Sequence, residues 1–123
     1  MSTALLVLQI LLALVFLFSG VMKLSQPKEK IAEKMAWAED FSPGQIKLIG
    51  LLELLGAIGL VLPLVFGILP ALVPLAAVGL ALTMAGAAFT HLRRKEGSMA
   101  IPSIVLLVLL LFVAYNQFTS LTI

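Results

Sequence analysis

The sequence predicts an all-α membrane protein: four transmembrane helices in a bundle, with a short amphipathic interfacial helix between helices 1 and 2. Three observations carry that prediction. Hydrophobic residues fill 62% of the 123 positions and charged residues 11%, against about a quarter charged in a soluble domain, so the chain lacks the polar surface to cover itself in water. Four apolar stretches approach the ~17–25 residues that cross a bilayer core as a helix. All eight basic residues lie in the two connections on one side of those stretches.

A chain of this length makes one transmembrane domain. Helices are expected at about 4–23, 43–62, 69–92 and 101–118, with the interfacial helix at about 28–40. Backbone groups in lipid must be satisfied within their own segment, which favours helices over strands. The first stretch reads as a span rather than a signal peptide: its leading MST carries no positive side chain, its apolar run is long, and no small-x-small cleavage site follows.

Local signals mark the ends of these helices. Ser42-Pro43-Gly44-Gln45 places an N-cap, a proline at N1 and a glutamine at N3, the pattern of a capping box. Pro63 is expected to end or kink the second span, and Gly67 to Pro70 to form a tight uncharged turn. Ser98 and Pro102 frame the start of the fourth. Between the first two spans, Ile31, Met35 and Ala38 share a helical face, with Trp37 and Phe41 beside it and charges elsewhere. Such a segment is expected to lie along a membrane interface, the alternative being a solvated loop.

Charge sets the expected topology. Lys23, Lys28, Lys30, Lys34 and Lys47 flank the first connection, and Arg93, Arg94 and Lys95 lie in the third. By the positive-inside rule, loops 24–45 and 92–100 are cytoplasmic and both termini lie outside the cell membrane. A net charge of +2 is too small to point to nucleic acid. The chain has no cysteine and one histidine. Thiol redox chemistry, thiolate-ligated clusters, bis-histidine haem and a zinc site made by this chain alone are thereby excluded. No catalytic residue, metal site or cofactor motif emerges, and an independent enzyme is not expected.

One residue breaks the apolar pattern. Glu53, in GLLELLGAIGL at 50–60, is the only charge between Lys47 and Arg93. An ionised side chain at a helix centre costs about 3 kcal/mol on insertion scales, so Glu53 is expected to face protein or trapped water and to need a partner if it stays charged. Gly50, Glu53, Gly56 and Ala57 share one side of the second span. Gly79, Thr83, Ala87 and His91 form a stripe on the third, with Gly86 and Thr90 alongside, and the first offers Gln9, Ala13, Ser19, Gly20 and Lys23. Small residues let membrane helices approach closely, so these stripes are expected to pack inward. With Lys23, Lys47 and Arg93 taken as level, Glu53 lies roughly 9 Å inside. The expected ligand-binding or proton-handling group is therefore Glu53, His91 and Lys23, with Ser19, Thr83, Thr90 and Arg93 near it.

Each member also has a simpler reading. His91 serves as an interfacial cap, Lys23 snorkels to headgroups, Thr83 and Thr90 bond back to the preceding turn, and Gln9 pairs across helices. Tyr115, Asn116 and Gln117 read as an outer belt, and Trp37 as an interface anchor.

The segments SGVMKL at 19–24, GLLELLGAIGLVLPL at 50–64 and LAAVGLALTMAGAAFTHLRRKE at 75–96 resemble the DoxX-like family of small four-helix membrane proteins, in order and over nearly the whole chain. The family pattern has a glutamate in the second helix and a histidine–arginine pair closing the third, matched by Glu53, His91 and Arg93, while Lys23 matches the lysine of the first motif. The resemblance implies quinone-linked redox subunits, stress-response proteins and an assembly chaperone among wider relatives. A quinone-linked role here needs a partner or a freely bound quinone.

The expected function is thus a non-catalytic accessory or binding subunit that holds a quinone- or lipid-like molecule near Glu53. The alternatives are a membrane scaffold or assembly factor and, third, a proton-coupled carrier, for which inverted repeats and broken helices are missing. Besides the lipid bilayer, a membrane protein partner or a second copy of the chain is an expected neighbour.

Overall fold

The computed structural model describes residues 3–122, and their side chains save those of Lys34 and residues 120–122. The Lys34 side chain, counted above among the basic residues, and Met1 and Ser2 of the leading MST lie outside the described residues. The described chain is all helical: α1 (Thr3–Ser25), α2 (Lys28–Lys34), a 3₁₀ turn (Ala36–Asp40), α3 (Pro43–Phe66), α4 (Leu72–Arg93) and α5 (Gly97–Thr122). Helices α1, α3, α4 and α5 are each long and apolar enough to cross a membrane. Their outward faces carry Leu14, Phe18, Val65, Leu82, Phe89 and Val108, all exposed, the inverse of a water-soluble surface.

The spans pack in the order α1, α3, α4, α5, each along the next, while α5 touches α1 at few points. Phe16, Leu60, Leu80, Leu110 and Val113 fill the core. Helices α1 and α3 cross backbone to backbone at two glycines. A Cβ on Gly20 would stand 2.7 Å from the Gly50 carbonyl oxygen and 2.8 Å from the Leu54 nitrogen, so only glycine permits this crossing. Between α3 and α4, Gly56 receives the Leu80 side chain and Gly59 the Ala76 methyl.

The capping box forms as expected: the Gln45 backbone N–H donates to Ser42 Oγ (3.2 Å) and the Ser42 N–H to Gln45 Oε1 (2.9 Å). Several other expectations are corrected. Helix α3 does not end at Pro63. It runs one turn further to Phe66 and closes on Gly67 at φ 65°. Membrane helices tolerate an internal proline, and Pro63 is buried within the helix. Helix α4 starts at Leu72 rather than 69, because Leu69 precedes Pro70 and is kept from the helical region; it takes φ 42° instead. Helix α5 starts at Gly97, ahead of Pro102. The Glu96 carbonyl accepts from Met99 and Ala100, and Pro102, in the second turn, forfeits one bond at the entry.

The single interfacial helix expected at 28–40 is two pieces. Met35, at φ −130° and ψ 92°, breaks it. The break lets Ile31 and Ala38 both bury against Ile46 and turns Trp37 edge-on to Phe41, with ring centroids 5.5 Å apart.

Candidate functional site

The Gly20–Gly50 crossing brings the next turn of α1 against the next turn of α3, and there Lys23 meets Glu53. Lys23 Nζ donates to Glu53 Oε1 at 2.5 Å and to Ser19 Oγ at 2.7 Å, and it stands 5.6 Å from the centre of the Trp37 ring. Glu53 is 1% exposed and Lys23 7%. Both charges have left water, so the pair rests on mutual attraction, the serine and the aromatic face. Rather than snorkelling, Lys23 turns inward. The bond from Lys23 reaches Glu53 through Oε1.

Beside the pair is a cavity of about 520 Å³. Val15, Phe16, Leu52, Leu82, Met84 and Leu106 wall it, and Ser19, Lys23, Glu53, Thr83, Thr90, His91 and Ser103 add polar atoms. Met35, Trp37 and Phe41, from the broken segment, line it too, Trp37 beside Lys23. The structure thus brings Glu53, Lys23, Ser19, Thr83, Thr90 and His91 to one cavity. Arg93 is not among the lining residues; it is exposed, its guanidinium 5.9 Å from the Phe89 ring centre.

His91 is oriented by a helix end. The Glu96 N–H donates to the His91 carbonyl (2.8 Å) and the Lys95 N–H to that of Leu92 (3.0 Å), the paired bonds of a Schellman motif. Its left-handed position is Lys95, at φ 60°. The turn swings the Glu96 carboxylate back to 3.1 Å from His91 Nδ1. Facing a carboxylate, Nδ1 carries the proton. Arg94 donates from an Nη to Asp40 Oδ2 (2.8 Å), with Nε 3.6 Å from Glu96 Oε1. The Asp40 hydrogen bond raises the Arg94 pKa above its ordinary value. This cluster ties the 3₁₀ turn to the end of α4.

Thr83 and Thr90 bond back to the Gly79 and Gly86 carbonyls at 3.1 and 2.9 Å. The expected inward packing of Gly79 and Gly86 is corrected: a Cβ on either would meet nothing within 4 Å. Gln117 is likewise no belt residue. It is buried and donates to Gln9 Oε1 (2.7 Å), while Gln9 Nε2 donates to the Leu60 carbonyl (2.9 Å), joining α1, α3 and α5. Sequence reasoning missed Trp37, Ser103, Glu96, Arg94 and Asp40 as neighbours of the site. The HLRRKE run, with its glutamate five residues beyond the histidine, was the available signal for two of them.

Fold and site define a small multi-pass membrane protein of four helices, built around a buried ion pair at the edge of an apolar cavity. The chain belongs to the DoxX-like family, whose sequence profile matches residues 7–113. Comparison with curated proteins and with solved structures yields no match.

Proposed function

We propose that the protein is a non-catalytic binding subunit of the cell membrane that holds a quinone- or lipid-like molecule in the cavity beside Lys23 and Glu53. The observation that carries this reading is the cavity itself. Its volume of about 520 Å³ is within the range of roughly 300–1,000 Å³ found for ligand pockets, and its apolar walls with a few convergent polar groups have the usual character of such pockets. Glu53 and Lys23 are the recognising groups, and His91, Thr90 and Ser103 extend the polar rim. The charged end faces the cytoplasm on the positive-inside argument; single cysteines introduced at Ser25 and Gly67 of this cysteine-free chain would then differ in labelling by an impermeant thiol reagent on whole cells, Gly67 reacting and Ser25 not.

The test is mass spectrometry of small molecules that co-purify from native membranes with the wild type, Glu53→Gln and Gly86→Leu. Gly86 lines the cavity and a Cβ placed on it meets nothing within 4 Å, so Gly86→Leu adds volume there from an open position. The reading predicts a molecule enriched in the wild type and depleted in both folded variants. Equal content in all three would refute it.

A scaffold reading also has an observation in its favour. The Lys23–Glu53 pair lies one turn from the Gly20–Gly50 crossing and sets the register of α1 on α3. It predicts that Gly86→Leu changes nothing and that the 28–41 segment is the sensitive surface.

A further inference from the structure

The cavity beside Lys23 is not closed on all sides. A second, larger and almost wholly apolar groove of about 1010 Å³ runs along the seam of α3 and α4, lined by Leu55, Ile58, Leu62, Leu75 and Gly79 among others. Cavity and groove share three lining residues, Leu52, Leu82 and Thr83. The two spaces therefore meet at one wall. From Thr83 back to Leu72, at the far end of the groove, α4 covers roughly 16 Å at 1.5 Å per residue.

We infer that cavity and groove together hold one single-chain amphiphile, an uncharged hydroxyl-bearing head beside Lys23 and Glu53 and a hydrocarbon tail along the α3–α4 groove. This rests on the reading of the cavity given above and adds the class of ligand. The head is uncharged because the charges that line the cavity, Lys23 and Glu53, already pair with each other. A phosphate or ammonium group would be desolvated there without a free counter-ion, at a cost that pairing normally offsets. The head carries a hydroxyl because Lys23 takes Glu53 through Oε1, and the second carboxylate oxygen can only accept. An ether or ester oxygen suits the remaining Lys23 N–H, since Glu53 and Ser19 take two of its three protons. The tail leaves past Leu52, Leu82 and Thr83, the wall that cavity and groove share, while Met35, Trp37 and Phe41 line the cavity elsewhere.

Gly79 is the specificity position of the groove. It lines it, it is exposed, and nothing stands within 4 Å of a Cβ placed there. A larger side chain at Gly79 thus starts from open space and extends into the tail path.

The experiment uses a monoacylglycerol with a photoactivatable diazirine at mid-chain, reconstituted with the full-length protein in bilayers, and peptide mass spectrometry to locate the adducts. Wild type is expected to carry adducts concentrated on the groove residues Leu55, Ile58, Leu62 and Leu75, several-fold above exposed residues of other faces such as Leu11, Phe18 and Val108. Gly79→Phe is expected to lose that concentration while co-purification of head-bound ligand persists. Gly86→Leu, which plugs the head cavity, is expected to lose it as well. Labelling spread evenly over the lipid-facing residues of wild type overturns the tail placement and leaves the cavity reading standing. Groove labelling that survives in Gly86→Leu shows bulk lipid filling the seam and overturns the link between head and tail. Loss of groove labelling in Gly86→Leu but not in Gly79→Phe overturns the path along Gly79.

Discussion

Lys23 and Glu53, thirty residues apart in sequence, meet at 2.5 Å inside the bundle, one turn from the point where Gly20 and Gly50 let their helices touch. The glycines and the charges are one device. Without the close crossing the ammonium would not reach the carboxylate, and without the pairing either charge would be stranded in an apolar interior.

Removing one partner is therefore expected to be far worse than removing both. Lys23→Ala and Glu53→Ala should each destabilise by about 3–5 kcal/mol, whereas replacement of the pair by apolar residues of similar volume should be near neutral. Thermal unfolding of the four species in detergent, followed by circular dichroism, gives the coupling directly. Additive losses would deny that the two charges depend on one another.

The glycines separate into two kinds. Gly20→Ala drives a methyl into the Gly50 and Leu54 backbone, which cannot give, and should cost about 1–3 kcal/mol. Gly86→Ala meets open space and should gain up to about 1 kcal/mol from helix propensity. The same melting series checks both, and opposite signs are the expected result.

At the end of α4, Lys95 holds φ 60° in a position glycine usually takes. Lys95→Gly should stabilise by about 1 kcal/mol, the lower end of the cost of left-handed backbone, and Lys95→Ala should not. A melting temperature that falls in both would show that the Lys95 side chain, rather than its backbone, matters.

Gln9 joins three helices through two hydrogen bonds. Buried bonds in membrane bundles average about 0.6 kcal/mol each, so Gln9→Leu is expected to cost about 1 kcal/mol, well below the loss from either half of the ion pair. A loss equal to that of Glu53→Ala would mean that the Gln9 cluster, not the charge pair, anchors α1.

Much of this architecture was legible because it rests on local or periodic signals. Four apolar lengths dictate four spans, Ser42 and Gln45 build their box within one turn, and i, i+3, i+4 spacing put Gly50, Glu53, Gly56 and Ala57 on one side of α3, where all four are buried. What escaped depends on pairs of distant residues. Periodicity groups Gly79 and Gly86 with Thr83 and Ala87, but only the placement of α3 reveals that these glycines face open space. Gln117 reads as a belt residue until Gln9 stands opposite it. The break at Met35 has no proline or glycine to announce it; it follows from the need to seat Ile31 and Ala38 on Ile46. The Schellman turn hid behind a lysine where sequence rules look for glycine.

The central claim is that Lys23 and Glu53 recognise a guest as well as holding α1 to α3. The most direct test is the double variant Lys23→Met, Glu53→Leu, purified from native membranes with its melting curve and its bound small molecules measured on the same sample. A melting temperature close to wild type and loss of the molecule that wild type retains is the expected result. A double variant that melts like wild type and carries the same small-molecule content would contradict it and leave the pair a purely structural clasp.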